Sequence, residues 1–237
     1  MEIFLLALGA SFVQRTTGFG FGIFIMTSLP FLMPSYGEAT ALSGLLALTT
    51  SCFAAWKYRR MVTWKRLIPI LSIFLVISSA AICMLARIQD NMLRKILGIV
   101  LICVSIYFAF FSKKIRFGTT LPYQLGAGTI SGLMGGFFGM HGPPVVLSLI
   151  SAEPDKDHYL GMIQTYAVVT NITMLAVRAF SGYVTPAVGS AYLYGLAGLV
   201  IGVAAGNWAY KRIPGKIFTY VVYAYIALSG LIIFLSP

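Results

Sequence analysis

Hydrophobic residues along this chain come in eight long runs, at roughly 3–33, 38–56, 67–86, 96–112, 121–151, 159–178, 187–210 and 217–236, each closed by charge, glycine or proline. About 20 apolar residues are enough to carry a helix across the ~30 Å hydrocarbon core of a bilayer. Strand-type alternation is absent, and the runs are too long for the strands of about ten residues that barrels use. Backbone in lipid must satisfy its own hydrogen bonds. The pattern therefore predicts an all-α polytopic membrane protein with short connections. The start, Met1-Glu2-Ile3-Phe4, has neither a basic n-region nor a cleavage site, so no removable signal peptide is expected.

Two runs are interrupted near their middle. The first carries Gly18-Phe19-Gly20-Phe21-Gly22, and the fifth carries Gly135-Gly136-Phe137-Phe138-Gly139 with Gly142-Pro143-Pro144 close behind. Glycine weakens helix and permits positive φ, so both clusters predict unwound backbone at membrane depth. The second and sixth runs repeat one another. Ser43, Thr50 and Lys57 are spaced by seven, as are Gln164, Asn171 and Arg178, and the two sets are offset by 121. Spacing by seven keeps side chains on one helical face. The chain thus reads as a duplication, 1–117 and 118–237, with four hydrophobic segments in each half, together one membrane unit.

Basic residues discriminate between two topologies. If all eight segments cross, the two sides carry 9 and 7 basic residues, Arg15 aside; if the first and fifth are re-entrant hairpins, the division is 12 and 4. The second is a normal positive-inside bias. Arms of about 15 residues would be about 22 Å long, enough to reach the middle of the core but not to cross it. Three true crossings per half would make the repeats inverted, as in many transporters.

Composition removes other classes. Of 237 residues, 59% are hydrophobic and only 10% charged, so a soluble enzyme, a nucleic-acid module or a large extramembrane domain does not fit. The net charge of +11 sits mostly at the ends of apolar runs, as in Lys57-Tyr58-Arg59-Arg60, and reads as topogenic charge facing anionic lipid. Cys52, Cys83 and Cys103 lie inside apolar runs, are odd in number and follow no motif spacing, so neither disulfides nor metal ligation is expected. No P-loop and no metal or cofactor motif is present.

Broken backbone in the hydrocarbon region is tolerated where it packs on protein or lines a cavity, and a half-helix start presents free N–H groups and partial positive charge. The expected site is a midplane cradle for a small anion, made of amides from Gly18, Gly20 and Gly22 and from Gly135, Gly136, Gly139 and Gly142. Close helix packing is the competing role for these glycines. Arg15, just before the first break, either offers its planar fork to an oxyanion or snorkels to the interface. Gln14, Thr16 and Thr17 would be local donors or caps. His141 is a candidate proton carrier, a neutral donor or simply structural. Glu38 is a second proton-coupling candidate, with helix capping as its alternative. Asp157 is a candidate cap in the polar loop 153–158. On the repeated stripe, Gln164, Asn171, Ser43 and Thr50 face either substrate or one another.

At these residues the chain resembles the TauE/SafE family, also called TSUP, of sulfite and organosulfonate exporters. The resemblance covers essentially the whole sequence and rests on two halves, each opened by a glycine-rich break followed by proline: Thr17 to Gly22 with Pro30, and Gly132 to Pro144. It implies secondary transport of small sulfur-containing anions across a cytoplasmic membrane, usually as export; sulfur-containing or organic anions are the expected substrates, and protons or membrane potential the expected driving force. A passive anion channel of the same fold is the alternative, and an enzyme is not expected. Phe19, Phe21 and His141 stand where many members are more glycine-rich, which narrows and polarises the presumed site. The expected partners are the anion, the bilayer and, as a candidate, a second copy of the chain; nucleic acid is not expected.

Overall fold

The computed structural model describes residues 1–17, 20–107, 120–152, 155–210 and 215–235. Every element among them is helical: α1 (Glu2–Thr17), α2 (Phe21–Ile25), α3 (Leu29–Leu32), α4 (Tyr36–Tyr58), a 3₁₀ turn (Arg59–Met61), α5 (Trp64–Leu85), α6 (Asp90–Ile106), α7 (Leu121–Phe138), α8 (Gly142–Ala152), α9 (Lys156–Phe180), α10 (Pro186–Tyr210) and α11 (Gly215–Leu235). Among the described residues, four stretches are long and apolar enough to cross a membrane: Tyr36–Met61, Trp64–Leu85, Asp157–Phe180 and Pro186–Ala209. The first and fifth sequence runs are each divided, the first into α1, α2 and α3 and the fifth into α7 and α8.

Local chemistry fixes the helix starts. Ser35 Oγ accepts the Glu38 amide at 3.2 Å, the N-cap bond that opens α4, and donates to Glu38 Oε2 at 3.2 Å. Asp155, rather than Asp157, caps α9, accepting the amides of Asp157 (3.0 Å) and His158 (2.9 Å). Asp157 falls in the first turn instead, where its charge complements the helix dipole.

Glycine stripes set the packing. Gly128, Gly132 and Gly136 on α7 face α5; a Cβ on Gly132 would lie 2.9 Å from Ile77 Cβ, and one on Gly136 2.8 Å from Ser78 O. Gly198, Gly202 and Gly206 on α10 face α1 in the same way, Gly206 being 2.8 Å from Arg15 Cβ by that measure. Residues four apart share a helix face, and with no Cβ the backbones close to direct contact.

Contacts along each pair give the directions. Gly128, Gly132 and Gly136 meet Ile70, Phe74 and Ser78 in turn, so α7 runs parallel to α5. Gly198 meets Phe4 and Gly206 meets Phe12, so α10 runs parallel to α1. The α4–α9 pair is antiparallel: Arg178 reaches Thr40 at one end, and Gly161 abuts the carbonyls of Tyr58 and Met61 at the other. α6 and α11 also pack antiparallel, through Gly98 and Gly230. The three cysteines, whose place inside apolar runs predicts buried thiols, are exposed. Apolar residues in a membrane helix face lipid as readily as core.

Candidate functional site

Both divided runs turn back on themselves. A Cβ on Gly9 would lie 2.7 Å from the Phe24 ring, and one on Gly20 3.7 Å from Val13, so α2 returns alongside α1. In the second, Ser131 Oγ donates to the His141 carbonyl, and Gly135 abuts His141, so α8 leaves back toward α7. Each turn needs a left-handed residue, supplied by Gly20 (φ 95°) and Gly139 (φ 67°). The Gly139 amide donates to Gly135 O (3.0 Å) and the Met140 amide to Met134 O (3.3 Å), which closes the end of α7 in a Schellman-type turn. The break is therefore at 139–141. Gly135 and Gly136 remain helical, because the stripe that includes Gly136 packs on α5.

The two turns meet. A Cβ on Gly22 would sit 2.6 Å from Gly139 O. Beside this contact is a small pocket, about 60 Å³ and partly open, between the first turn, the second turn and the antiparallel α4–α9 pair. Gln14, Gly20, Gly22, Gly139, His141, Gly142, Gln164 and Asn171, all candidates named from the sequence, line it, and Ser51 and Tyr166 join them. No Asp, Glu, Lys or Arg is among the described residues that line it.

Its polar groups are partly uncommitted. Asn171 Nδ2 donates to Ala167 O at 2.8 Å, which fixes the carboxamide and leaves Oδ1 without a partner. Gln164 Oε1 and His141 Nδ1 are likewise buried and unpartnered. Tyr166 OH is tied to Ser131 Oγ at 2.7 Å. Thr50 lies off the pocket but donates to Gln14 Oε1 at 2.8 Å and so holds that side chain at the wall.

The amide cradle is smaller than the sequence suggested. Gly139 and Met140 spend their N–H groups within the turn, and Pro143 and Pro144 have none. What remains at the second turn is the pair of amides of His141 and Gly142. Gly135 and Gly136 contribute carbonyls, and they point at a cation.

That cation is Arg178, which is 0% exposed. Its Nε donates to Thr40 Oγ1 at 3.0 Å, and its Nη2 to Gly135 O at 2.9 Å and Gly136 O at 3.1 Å; Nη1 has no partner. Thr40 in turn touches Gly139, whose Cβ would lie 3.5 Å from it, so the charge stands one layer behind the pocket wall. None of these bonds is to a carboxylate. The basic-residue count treated Arg178 as a membrane-surface charge; its place on the stripe with Gln164 and Asn171 was the signal that it points inward.

Other expected residues lie elsewhere. Arg15 is exposed and donates through Nε to Asn207 Oδ1 of α10, away from the pocket. Glu38 is buried at the start of α4, where its Oε1 accepts from Thr185 at 2.6 Å. Ser43 is buried off the pocket with no hydrogen-bond partner. Thr17 closes α1, and Gly18 lies outside the described residues. Among the described residues, no three His, Cys, Asp or Glu come together as a metal site.

Comparison with known proteins gives one result. No curated protein and no solved structure matches the chain. The profile of the family described as sulfite exporter TauE/SafE matches residues 3–233, nearly the whole sequence. A multi-pass helical chain with this match is a sulfite-exporter-type membrane transporter, and it belongs to the TauE/SafE family.

Proposed function

We propose that the chain is a secondary transporter that exports a small, singly charged sulfur oxyanion of the sulfite class across the cytoplasmic membrane, by alternating access around the pocket between the two glycine turns. The observation that carries this reading is the meeting of the turns at Gly22 and Gly139 beside a pocket with no formal charge, backed by the carboxylate-free cation Arg178. Burying a guanidinium without a counter-ion is expensive. An anion one layer away is what that charge lacks.

The pairing of helices supports inverted repeats. Exchange of the two halves turns the α1–α10 pair into α7–α5 and leaves α4–α9 and α6–α11 paired with each other, antiparallel. Equivalent helices that pack antiparallel are related by an axis lying across them, as in inverted-repeat carriers. The returns of α2 and α8 fit re-entrant hairpins, since α1 with α4 and α7 with α9 then enter from the same side.

Substrate chemistry follows from the donor and acceptor inventory. The His141 and Gly142 amides suit an anionic oxygen, whereas Asn171 Oδ1 needs a hydrogen from its guest. Bisulfite, with one charge and one hydrogen, satisfies both. A dianion would bring a second charge into a site that has no lining cation. Protons or membrane potential would drive export, with His141 as the proton-coupling candidate in the pocket. Glu38, tied into a cap, is the weaker one.

The test is counterflow. Purified protein in liposomes preloaded with unlabelled sulfite should accumulate labelled sulfite transiently, with a rate that saturates and follows the bisulfite form as pH changes. Flux that is unsaturable and voltage-linear, with no counterflow, would identify a channel and refute the carrier.

A further inference from the structure

The repeat offset of 121 pairs Arg178 with Lys57, and Thr40 with Gly161. These four positions mark the two ends of the antiparallel α4–α9 pair, and the ends differ. At one, Arg178 is fully buried and bonded to α4 through Thr40 and to the end of α7 through Gly135 and Gly136. At the other, Lys57 is exposed and overlies the Tyr58 ring, 5.1 Å from its centroid, its one contact of this kind among the described residues. Counted back from the left-handed turn glycines Gly139 and Gly20, the positions that match Gly135 and Gly136 are Thr16 and Thr17, in the last turn of α1. Their carbonyls are the acceptors that a cation at position 57 would meet if the first half took the arrangement of the second.

Burial differs between the ends in the same sense. Arg178, Thr40, Gly135 and Gly136 are all buried, whereas Lys57 is exposed. The Arg178 end of the pair is thus the closed one. A guanidinium at the C-terminal carbonyls of α7 also complements that helix's dipole, and a lysine there would do the same for α1.

We infer that Arg178 and Lys57 are matched positioning residues, each closing one end of the pathway by binding the last-turn carbonyls of its own half's hairpin. This structure is the state with the Arg178 latch shut and the Lys57 latch released. The inference rests on the alternating-access reading, and it assigns the two latches to particular side chains. Chemical inequality between them has a consequence: the arginine, with several directed donors, holds its end more firmly than the lysine, so this state is the resting one.

The experiment uses a variant with Cys52, Cys83 and Cys103 replaced by serine and one cysteine placed in the pocket by Ser51→Cys. A membrane-impermeant thiol reagent is applied to either side of sealed vesicles. The parent should label chiefly from the Lys57 side. Arg178→Gln should raise labelling from the opposite side about tenfold relative to the Lys57 side, since it removes charge-assisted bonds made in one state only. Lys57→Gln should shift the ratio the other way, and Arg178→Lys should restore much of the parent ratio. Thr40→Val, which removes one acceptor and keeps the charge, should move the ratio in the direction of Arg178→Gln and covers the case in which that variant does not fold. Shifts in the same direction for positions 57 and 178, or no shift at either, would overturn the latches. Counterflow by the parent alongside such a result would leave the carrier reading standing; its absence would remove both.

Discussion

Replacing Gly22 by alanine places a methyl group 2.6 Å from the carbonyl oxygen of Gly139, where ordinary contact needs about 3.4 Å or more. Both partners are backbone, so neither can swing aside; the two hairpin turns must part by several tenths of an ångström. Overpacking of this kind costs about 1–3 kcal/mol, and the gain from removing a helical glycine, up to about 1 kcal/mol, is small in a helix as short as α2. The net loss is about 1–2 kcal/mol, or a fall of roughly 2–8 °C in the unfolding midpoint for a chain of this size. Gly142→Ala is the internal control. It too lines the pocket, but a Cβ there has nothing within 4 Å, so that variant should unfold at the parent temperature or slightly above. Thermal unfolding of the two purified variants in one detergent reads the difference directly. Equal midpoints for Gly22→Ala and the parent, or an equal fall in both variants, would mean that the turns do not touch.

Three further outcomes follow from the packing and the site. Gly132→Ala, whose Cβ would lie 2.9 Å from Ile77 Cβ, should cost about 1–3 kcal/mol, whereas Gly126→Ala on the open side of α7 should be neutral or stabilising by up to about 1 kcal/mol, both read by the same unfolding assay. Ser35→Ala should lower stability by about 1 kcal/mol through loss of the α4 cap, with the pH profile of counterflow unchanged; an altered profile would return Glu38 to the coupling pathway. Arg15→Gln should leave sulfite affinity within about twofold of the parent, because removing a charge outside the pocket changes little; a large loss by equilibrium binding would put Arg15 back at the substrate.

The breaks were legible because positive φ is nearly a glycine property, and Gly20 and Gly139 show it. Their positions were less so. In Gly135-Gly136-Phe137-Phe138-Gly139 three glycines look alike, yet Gly136 belongs to the i, i+4 stripe with Gly128 and Gly132 and packs on α5, which leaves the turn to Gly139. The stripe of seven placed Gln164 and Asn171 on the inner face of α9, where they line the pocket. It did not reveal that Arg178 is buried while Lys57 is exposed, since burial at equivalent helix positions depends on neighbours from other elements. Arg15 adjoins the break in sequence, but Gln14, about 100° away around α1, takes the pocket side and leaves Arg15 to α10. Glu38 carried its own explanation in Ser35-x-x-Glu38, a sequence signature of a helix N-terminus.

The pocket as an anion site is tested most directly by equilibrium binding of labelled sulfite to the purified protein, with Asn171→Leu beside Arg15→Gln. Saturable binding by the parent, weakened about tenfold or more in Asn171→Leu and retained in Arg15→Gln, is what the geometry requires. Binding that survives Asn171→Leu and fails in Arg15→Gln would place the anion outside the pocket and contradict the account.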